Sequence, residues 1–223
     1  MTRTPLVIVG ASGFGREVAA LVADLEAAQP GWDLLGFLDD EPDAPAEVGG
    51  VPVLGGLNWL AARPGQIQVA IGIGSPRIKR LVVARLRDLA AGFPVLIHPG
   101  VVRGRNVEFG PGSLVCAGNI LTVDIRAGAF LTLNLACTVG HDSRFGDFTT
   151  LAPGANISGN VTLGEGCDIG TGSALIQGVT VGEWSIVGAG AVVTRDLPAN
   201  CTAVGVPAEP VKRRSAGWHE VHG

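Results

Sequence analysis

From Phe109 to Val193 an apolar residue returns at every sixth position: Phe109, Val115, Leu121, Ala127, Leu133, Val139, Phe145, Leu151, Ile157, Leu163, Ile169, Leu175, Val181, Val187 and Val193. The phase never slips, and Ala127 is the only small residue in it. Glycine follows at eight of these positions: Gly110, Gly128, Gly140, Gly146, Gly164, Gly170, Gly182 and Gly188. Four residues after the apolar position stands mostly a small or β-branched side chain, as in Ser113, Ser143, Thr149, Ala155, Val161, Ser173 and Val179. A period of six is neither the 3.6 of a helix nor the two of an ordinary strand. It fits a repeat array in which each hexad is one short strand and a corner, stacked so that the apolar stripe lines a continuous interior.

Composition agrees with a regular, glycine-punctuated β structure. Among 223 residues, 47% are hydrophobic and 16% charged, with 34 glycines, which excludes a disordered chain. A net charge of −4 argues against nucleic acid as a partner. No apolar run approaches the ~20 residues needed to span a bilayer, and the opening apolar run is too short for a signal peptide, so no membrane association and a cytoplasmic location are expected. The four cysteines (Cys116, Cys137, Cys167, Cys201) form no CxxC pair and have no histidines at metal spacing, so they are read as reduced and structural, with no metal.

Residues 1–94 follow another rule. Leu6–Val9 is an apolar run leading into Gly10-Ala-Ser-Gly-Phe-Gly15, and Arg16–Leu25 carries Val18, Leu21, Val22 and Leu25 on one side of a helix. Leu34–Leu38 reads as a second strand ending at Asp39 and Asp40, and a weak helix falls near Leu57–Ala62. Gln68–Ile73 reads as a buried strand, then Pro76–Ala91 as a helix with Ile78, Leu81, Val82, Leu86 and Leu89 inward. This alternation predicts a small parallel α/β sheet, about half of a dinucleotide-binding fold. Glycines at a strand-to-helix turn let backbone approach a ligand, and the helix start attracts an anion such as a pyrophosphate. The G-x-x-G-x-G spacing differs from the NAD fingerprint, so a nucleotide diphosphate is the expected ligand, a plain tight turn being the alternative.

Pro94–Pro99 marks the boundary. The expected organisation is a nucleotide-sugar-binding βαβ domain at 1–94, the repeat domain at 95–213, and a flexible tail at 214–223 without assigned function. The array contains one histidine, His141, two residues after the inward Val139 and followed by Asp142. That spacing puts it at a corner or facing outward. A histidine there can accept a proton near neutral pH with a carboxylate to orient it, the alternative being a solvated corner residue.

Uninterrupted hexads of the form [LIV]-G-x-x-[STAV]-x, ending in Gly-Val-Pro-Ala, resemble the hexapeptide-repeat acyltransferases. The N-terminal stretches Val-Ile-Val-Gly-Ala-Ser-Gly-Phe-Gly-Arg-Glu-Val, Gly-Phe-Leu-Asp-Asp and Leu-Ile-His-Pro narrow the likeness to the bacterial nucleotide-aminosugar N-acetyltransferases and related sialic acid O-acetyltransferases (the PglD, PerB and NeuD group). The resemblance covers roughly residues 5–212. It implies an α/β N-terminal Rossmann-like domain followed by a left-handed parallel β-helix, and a homotrimer using acetyl-CoA on a nucleotide-linked amino sugar. It further implies His141 as general base, Asp142 as its tuning carboxylate and Asn134 near the sugar. Ser12, Gly13 and Phe14 would form the phosphate loop, Asp39 and Asp40 would meet the nucleoside, and Gly72 would allow a backbone approach. Acetyl-CoA would lie against Thr150, Gly159, Thr171, Gly188 and Ala189. Phe14 and Thr150 depart from relatives that often carry histidine at these places. Transfer to a sugar hydroxyl, or a non-catalytic scaffold that binds nucleotide sugars, are the rival readings.

Overall fold

The computed structural model describes residues 3–220. Its N-terminal part runs β1 (Thr4–Val9), α1 (Gly13–Ala28), β2 (Trp32–Leu38), a short hairpin of β3 (Glu47–Val48) and β4 (Val51–Pro52), α2 (Asn58–Ala61), β5 (Gln68–Ile71) and α3 (Pro76–Leu86). Leu6, Val7, Ile8 and Val9 are all buried, as a central parallel strand covered on both faces requires. The sheet order is β2-β1-β5, all parallel. The chain leaves β1 towards one side and returns on the other, so a crevice opens beyond the strand C-termini at a topological switch point.

Helix α3 departs from the sequence expectation. Its buried residues are Pro76, Lys79, Val83 and Leu86, while Ile78 is 48% exposed. The helix turns a lysine inward because its inner face meets polar groups of the repeat domain as well as the sheet.

The repeat domain is a left-handed parallel β-solenoid of about six turns with three faces. Face I stacks Leu96–Ile97, Leu114–Val115, Thr132–Leu133, Thr150–Leu151, Asp168–Ile169 and Ile186–Val187, and is closed by Cys201–Val204 with its antiparallel partner Glu209–Arg213. Face II stacks Val102–Arg103, Ile120–Leu121, Thr138–Val139, Asn156–Ile157, Ala174–Leu175 and Val192–Val193. Face III stacks Val107–Phe109, Ile125–Ala127, Arg144–Phe145, Thr162–Leu163 and Thr180–Val181. Pairing advances by one coil of three hexads, as in Leu121, Val139, Ile157, Leu175 and Val193. The solenoid therefore begins at Leu96, before the strict stripe. At Arg103 the six-fold phase points to solvent and Val101 packs towards the core instead.

Corner A joins face I to II, corner B joins II to III, and corner C joins III back to I. From residue 106 to 190 each corner turns through one residue with positive φ, and stacking by coil gives each corner its own chemistry. Corner A uses Gly118, Ala136, Gly154, Gly172 and Gly190. Corner B uses Asn106, Asp124, Asp142, Asn160 and Gly178. Corner C uses Gly112, Phe130, Phe148, Gly166 and Trp184. Left-handed backbone costs an aromatic residue about 1–2 kcal/mol. At corner C that cost is offset by packing: Phe130 stacks on Phe148 with ring centres 5.2 Å apart, and both join the N-terminal core with Val7, Leu57 and Leu60. The glycines just after the stripe answer a different need, as at Gly140, where a Cβ would lie 2.6 Å from the Ser158 carbonyl carbon of the next coil. Buried hydroxyls in the small-residue position bond back three residues, Ser173 Oγ donating to the Gly170 carbonyl at 2.7 Å.

The C-terminal segment is not a loose tail up to Glu220. Trp218–Glu220 forms a 3₁₀ turn, and His219 is buried with its ring stacked 3.8 Å from Trp184 at corner C. Arg214 lies over Trp218, and Arg80 of α3 pairs with Glu220 at 3.2 Å. The expectation of a flexible end for 221–223 lies outside the described residues.

All four cysteines are buried and free, and burial pushes the Cys116 and Cys167 thiols up to about 12 and Cys137 to about 11. Among the described residues no helix is long and apolar enough to cross a membrane, and no group of three His, Cys, Asp or Glu side chains is placed to hold a metal ion.

Candidate active site

His141 stands on corner B, its side chain 51% exposed. Asp142 occupies the positive-φ position of that corner (φ 61°), a conformation that aspartate and asparagine tolerate better than other side chains. There its Oδ2 lies 2.8 Å from His141 Nδ1. That contact favours the tautomer in which Nδ1–H donates to Asp142 and Nε2 keeps its lone pair. The imidazole lies across Gly159 of the next coil, where any Cβ would collide with Nε2. Gly159, expected to touch the coenzyme, is buried beneath the ring and serves as its bed.

The remaining solenoid candidates separate. Asn134 lies on corner A of the same coil, its Oδ1 accepting from the Leu135 N–H at 2.7 Å, and does not meet His141 within the chain. Thr171, Gly188 and Ala189 also belong to corner A, and Thr171 and Ala189 are exposed. Thr150 does not share that strip. It is buried on face I, donating to the Gly74 carbonyl at 2.9 Å and accepting from Lys79 Nζ at 3.1 Å. Sequence reading missed this because a threonine on a strand gives no sign of which domain will cover it.

In the N-terminal domain a cleft of about 500 Å³ opens at the switch point of the sheet. Ser12, Asp39 and Asp40 line it, together with Glu41, Leu57, Ile73, Ile78 and Val82. The last four were not singled out beforehand as ligand-facing, since apolar side chains in strands and helices read as core. Asp39 accepts from the Ala11 N–H at 2.8 Å and the Glu41 N–H at 3.0 Å, which pins the glycine loop to the end of β2. Asp40 accepts from the Leu57 N–H at 2.9 Å and pairs with Arg85, also at 2.9 Å. Ser12 precedes α1 with its hydroxyl unused as a cap. Gly13 is exposed beside the cleft, and Phe14 packs into the core between α1 and the sheet. Gly72 is buried, and its Cβ would sit 2.7 Å from Gly15 Cα, so its bareness serves the packing of β5 against the glycine loop.

A left-handed solenoid with an exposed His–Asp corner, joined to a nucleotide-type α/β cleft, defines a hexapeptide-repeat acyltransferase. Residues 5–86 match the family model described as the PglD N-terminal domain. The acetyltransferase domain of PglB from Neisseria gonorrhoeae is 33% identical, with 94% of this chain and 100% of that one covered and a TM-score of 0.85. WeeI from Acinetobacter baumannii is also 33% identical, over 93% of this chain and 100% of its own, with a TM-score of 0.85. PerB from Caulobacter crescentus, solved with CoA and GDP-perosamine, is 32% identical over 95% of this chain and 99% of its own, with a TM-score of 0.84. A sequence search of curated proteins gives no match. The chain belongs to the PglD/PerB-type hexapeptide-repeat acetyltransferases and is an acyltransferase.

Proposed function

We propose that this chain transfers the acetyl group of acetyl-CoA to the amine of a nucleotide-linked amino sugar, with His141 as general base. The observation that carries the reading is the 2.8 Å His141–Asp142 pair on an exposed corner of an acyltransferase solenoid. An amine attacks a thioester carbonyl only when neutral, so a nearby base is required. His141 Nε2 takes the amine proton as the C–N bond forms and passes it to the departing sulfur as the C–S bond breaks. Asp142 holds the ring through Nδ1 and stabilises its charged form. Asn134 serves as the polar contact to the sugar from corner A.

The coenzyme supplies the activated acetyl thioester, and corner A suits it. Gly154, Gly172 and Gly190 stack there by coil, and a Cβ on any of them would meet nothing within 4 Å. A thin pantetheine arm can follow such a strip past Thr171, Gly188 and Ala189 without meeting a large side chain. For the acceptor, the Ser12 hydroxyl and the N–H groups opening α1 attract the diphosphate. Asp39 and Asp40 border the nucleoside, and Ile73, Ile78 and Val82 offer an apolar wall for the base. PerB, bound to GDP-perosamine, supports the acceptor class.

The reading includes a homotrimer. The N-terminal domain covers face I and corner C, whereas corner B lies across the solenoid from face I, so one chain's cleft does not open beside its own His141. Face II and its corners leave Val102, Ile120, Leu135 and Ile176 between 42% and 61% exposed, an apolar strip ready to be covered by a neighbouring copy whose corner then completes the site.

The test is free-thiol release from acetyl-CoA with GDP-, UDP- and dTDP-linked amino sugars, comparing the wild type with His141→Ala. A loss of about 10²–10⁴ in kcat is expected, and near-wild-type turnover in the variant sinks the mechanism. Turnover of sugar hydroxyls with amino sugars ignored would move the reading to O-acetyl transfer.

A further inference from the structure

Lys79 is 1% exposed, a burial that a lysine rarely adopts without partners. Its Nζ has three acceptors: the Phe130 carbonyl at 2.8 Å, Thr132 Oγ1 at 2.8 Å and Thr150 Oγ1 at 3.1 Å. Thr150 in turn donates to the Gly74 carbonyl at 2.9 Å. Gly74 directly follows Ile73 and leads into α3, whose Ile78 and Val82 form the same wall of the acceptor cleft. Thr132 opens the coil that carries His141, and Thr150 is its stacked partner one coil on. One short network therefore ties a wall of the cleft to the coil of His141.

We propose that Lys79 and Thr150 are positioning residues that set the height of the acceptor cleft along the solenoid axis relative to the His141 coil. Apolar contact at corner C holds the domains together, but packing of rings is tolerant of small sliding. Directed bonds to one coil's Phe130 carbonyl and Thr132, and to Thr150 on the next, are not. A slip of one coil towards the N-terminal end would put Leu114 in the place of Thr132 and leave the buried amino group one acceptor short, and a slip the other way would put Asp168 in the place of Thr150, with no hydroxyl for the Gly74 carbonyl. In an assembly whose symmetry axis runs along the solenoid, copies share the same height, so the same bonds align each cleft with a neighbour's His141. Misplacement of reacting groups by about 1 Å can cost on the order of 10²-fold in rate.

This proposal rests on the acetyl-transfer reading above, and its test separates the two. Thr150→Val keeps the side-chain shape but removes the hydroxyl, and Thr150→Ser restores it. For Thr150→Val, kcat/KM for the nucleotide amino sugar should fall about 10–100-fold, with KM for acetyl-CoA within threefold of wild type. Thr150→Ser should recover most of the loss. Hydrogen exchange of the 73–79 amides should quicken in Thr150→Val and in Lys79→Met, whatever acceptor the enzyme uses. Unchanged exchange in both variants overturns the proposal, as do equal kinetics for the valine and serine variants. A loss confined to the acetyl-CoA KM overturns it too, since Thr150 would then act on the coenzyme. A wild type inactive with every amino sugar refutes the acetyl-transfer reading instead, and the exchange measurement then decides the positioning role of Lys79 and Thr150 alone.

Discussion

Two glycines of neighbouring kinds give a sharp test of how the solenoid is built. Gly146 follows the apolar stripe, and an alanine there would place Cβ 2.5 Å from the Glu165 nitrogen and 2.7 Å from the Gly164 carbonyl carbon. Ordinary contact begins near 3.4 Å, so the coils must part by about 0.9 Å (3.4 minus 2.5). That strains the ladder bonds Gly146 N–H to Leu163 carbonyl at 2.8 Å and Arg144 N–H to Val161 carbonyl at 2.9 Å. Two weakened bonds at about 1 kcal/mol each, plus about 1–3 kcal/mol of overpacking, predict a loss near 3–5 kcal/mol for Gly146→Ala. Gly172 is a corner glycine with φ +66° and open space around its would-be Cβ. Gly172→Ala costs about 1–2 kcal/mol for the left-handed backbone, reduced by about 0.4–1 kcal/mol of unfolded-state entropy, so the net loss is about 1 kcal/mol. Urea titration followed by tryptophan fluorescence measures both. If Gly172→Ala is the more damaging of the two, coil stacking is not what the stripe glycines serve.

Two further outcomes follow from the charged groups. Burial pushes Lys79 down from 10.5 to about 7, with nearby Asp168 opposing the shift. Between those values the unfolded chain holds a proton that the folded chain has released, so this group makes stability rise with pH by roughly 1 kcal/mol per unit. Urea midpoints at pH 7, 8 and 9 should climb more steeply in the wild type than in Lys79→Met; parallel curves would contradict the assignment. Asp142→Asn keeps a residue suited to the corner's φ of 61° but removes the carboxylate from Nδ1. It should lower kcat about tenfold or more while leaving the KM for acetyl-CoA unchanged, because the ring is no longer held by a carboxylate at Nδ1. Wild-type kcat in this variant would mean that Asp142 does not support the base.

The period of six sufficed to write the solenoid, because every hexad buries its own apolar residue against hexads that the same period places above and below it. His141 was legible as a corner residue for the same reason, and the paired Asp142 stood beside it in the chain. The column of Asn106, Asp124, Asp142 and Asn160 at one corner was equally present as an 18-residue rhythm. What local periodicity could not contain was the choice of which face the N-terminal domain covers, since that depends on contacts between segments 50 to 140 residues apart. That choice turned Lys79 from an apparent surface residue into a buried one, moved Thr150 from the coenzyme strip to the domain seam, laid His219 on Trp184, and made Ile78 a cleft wall. A charged or polar side chain is assigned a role by the partners that reach it, and only the folded chain brings those partners together.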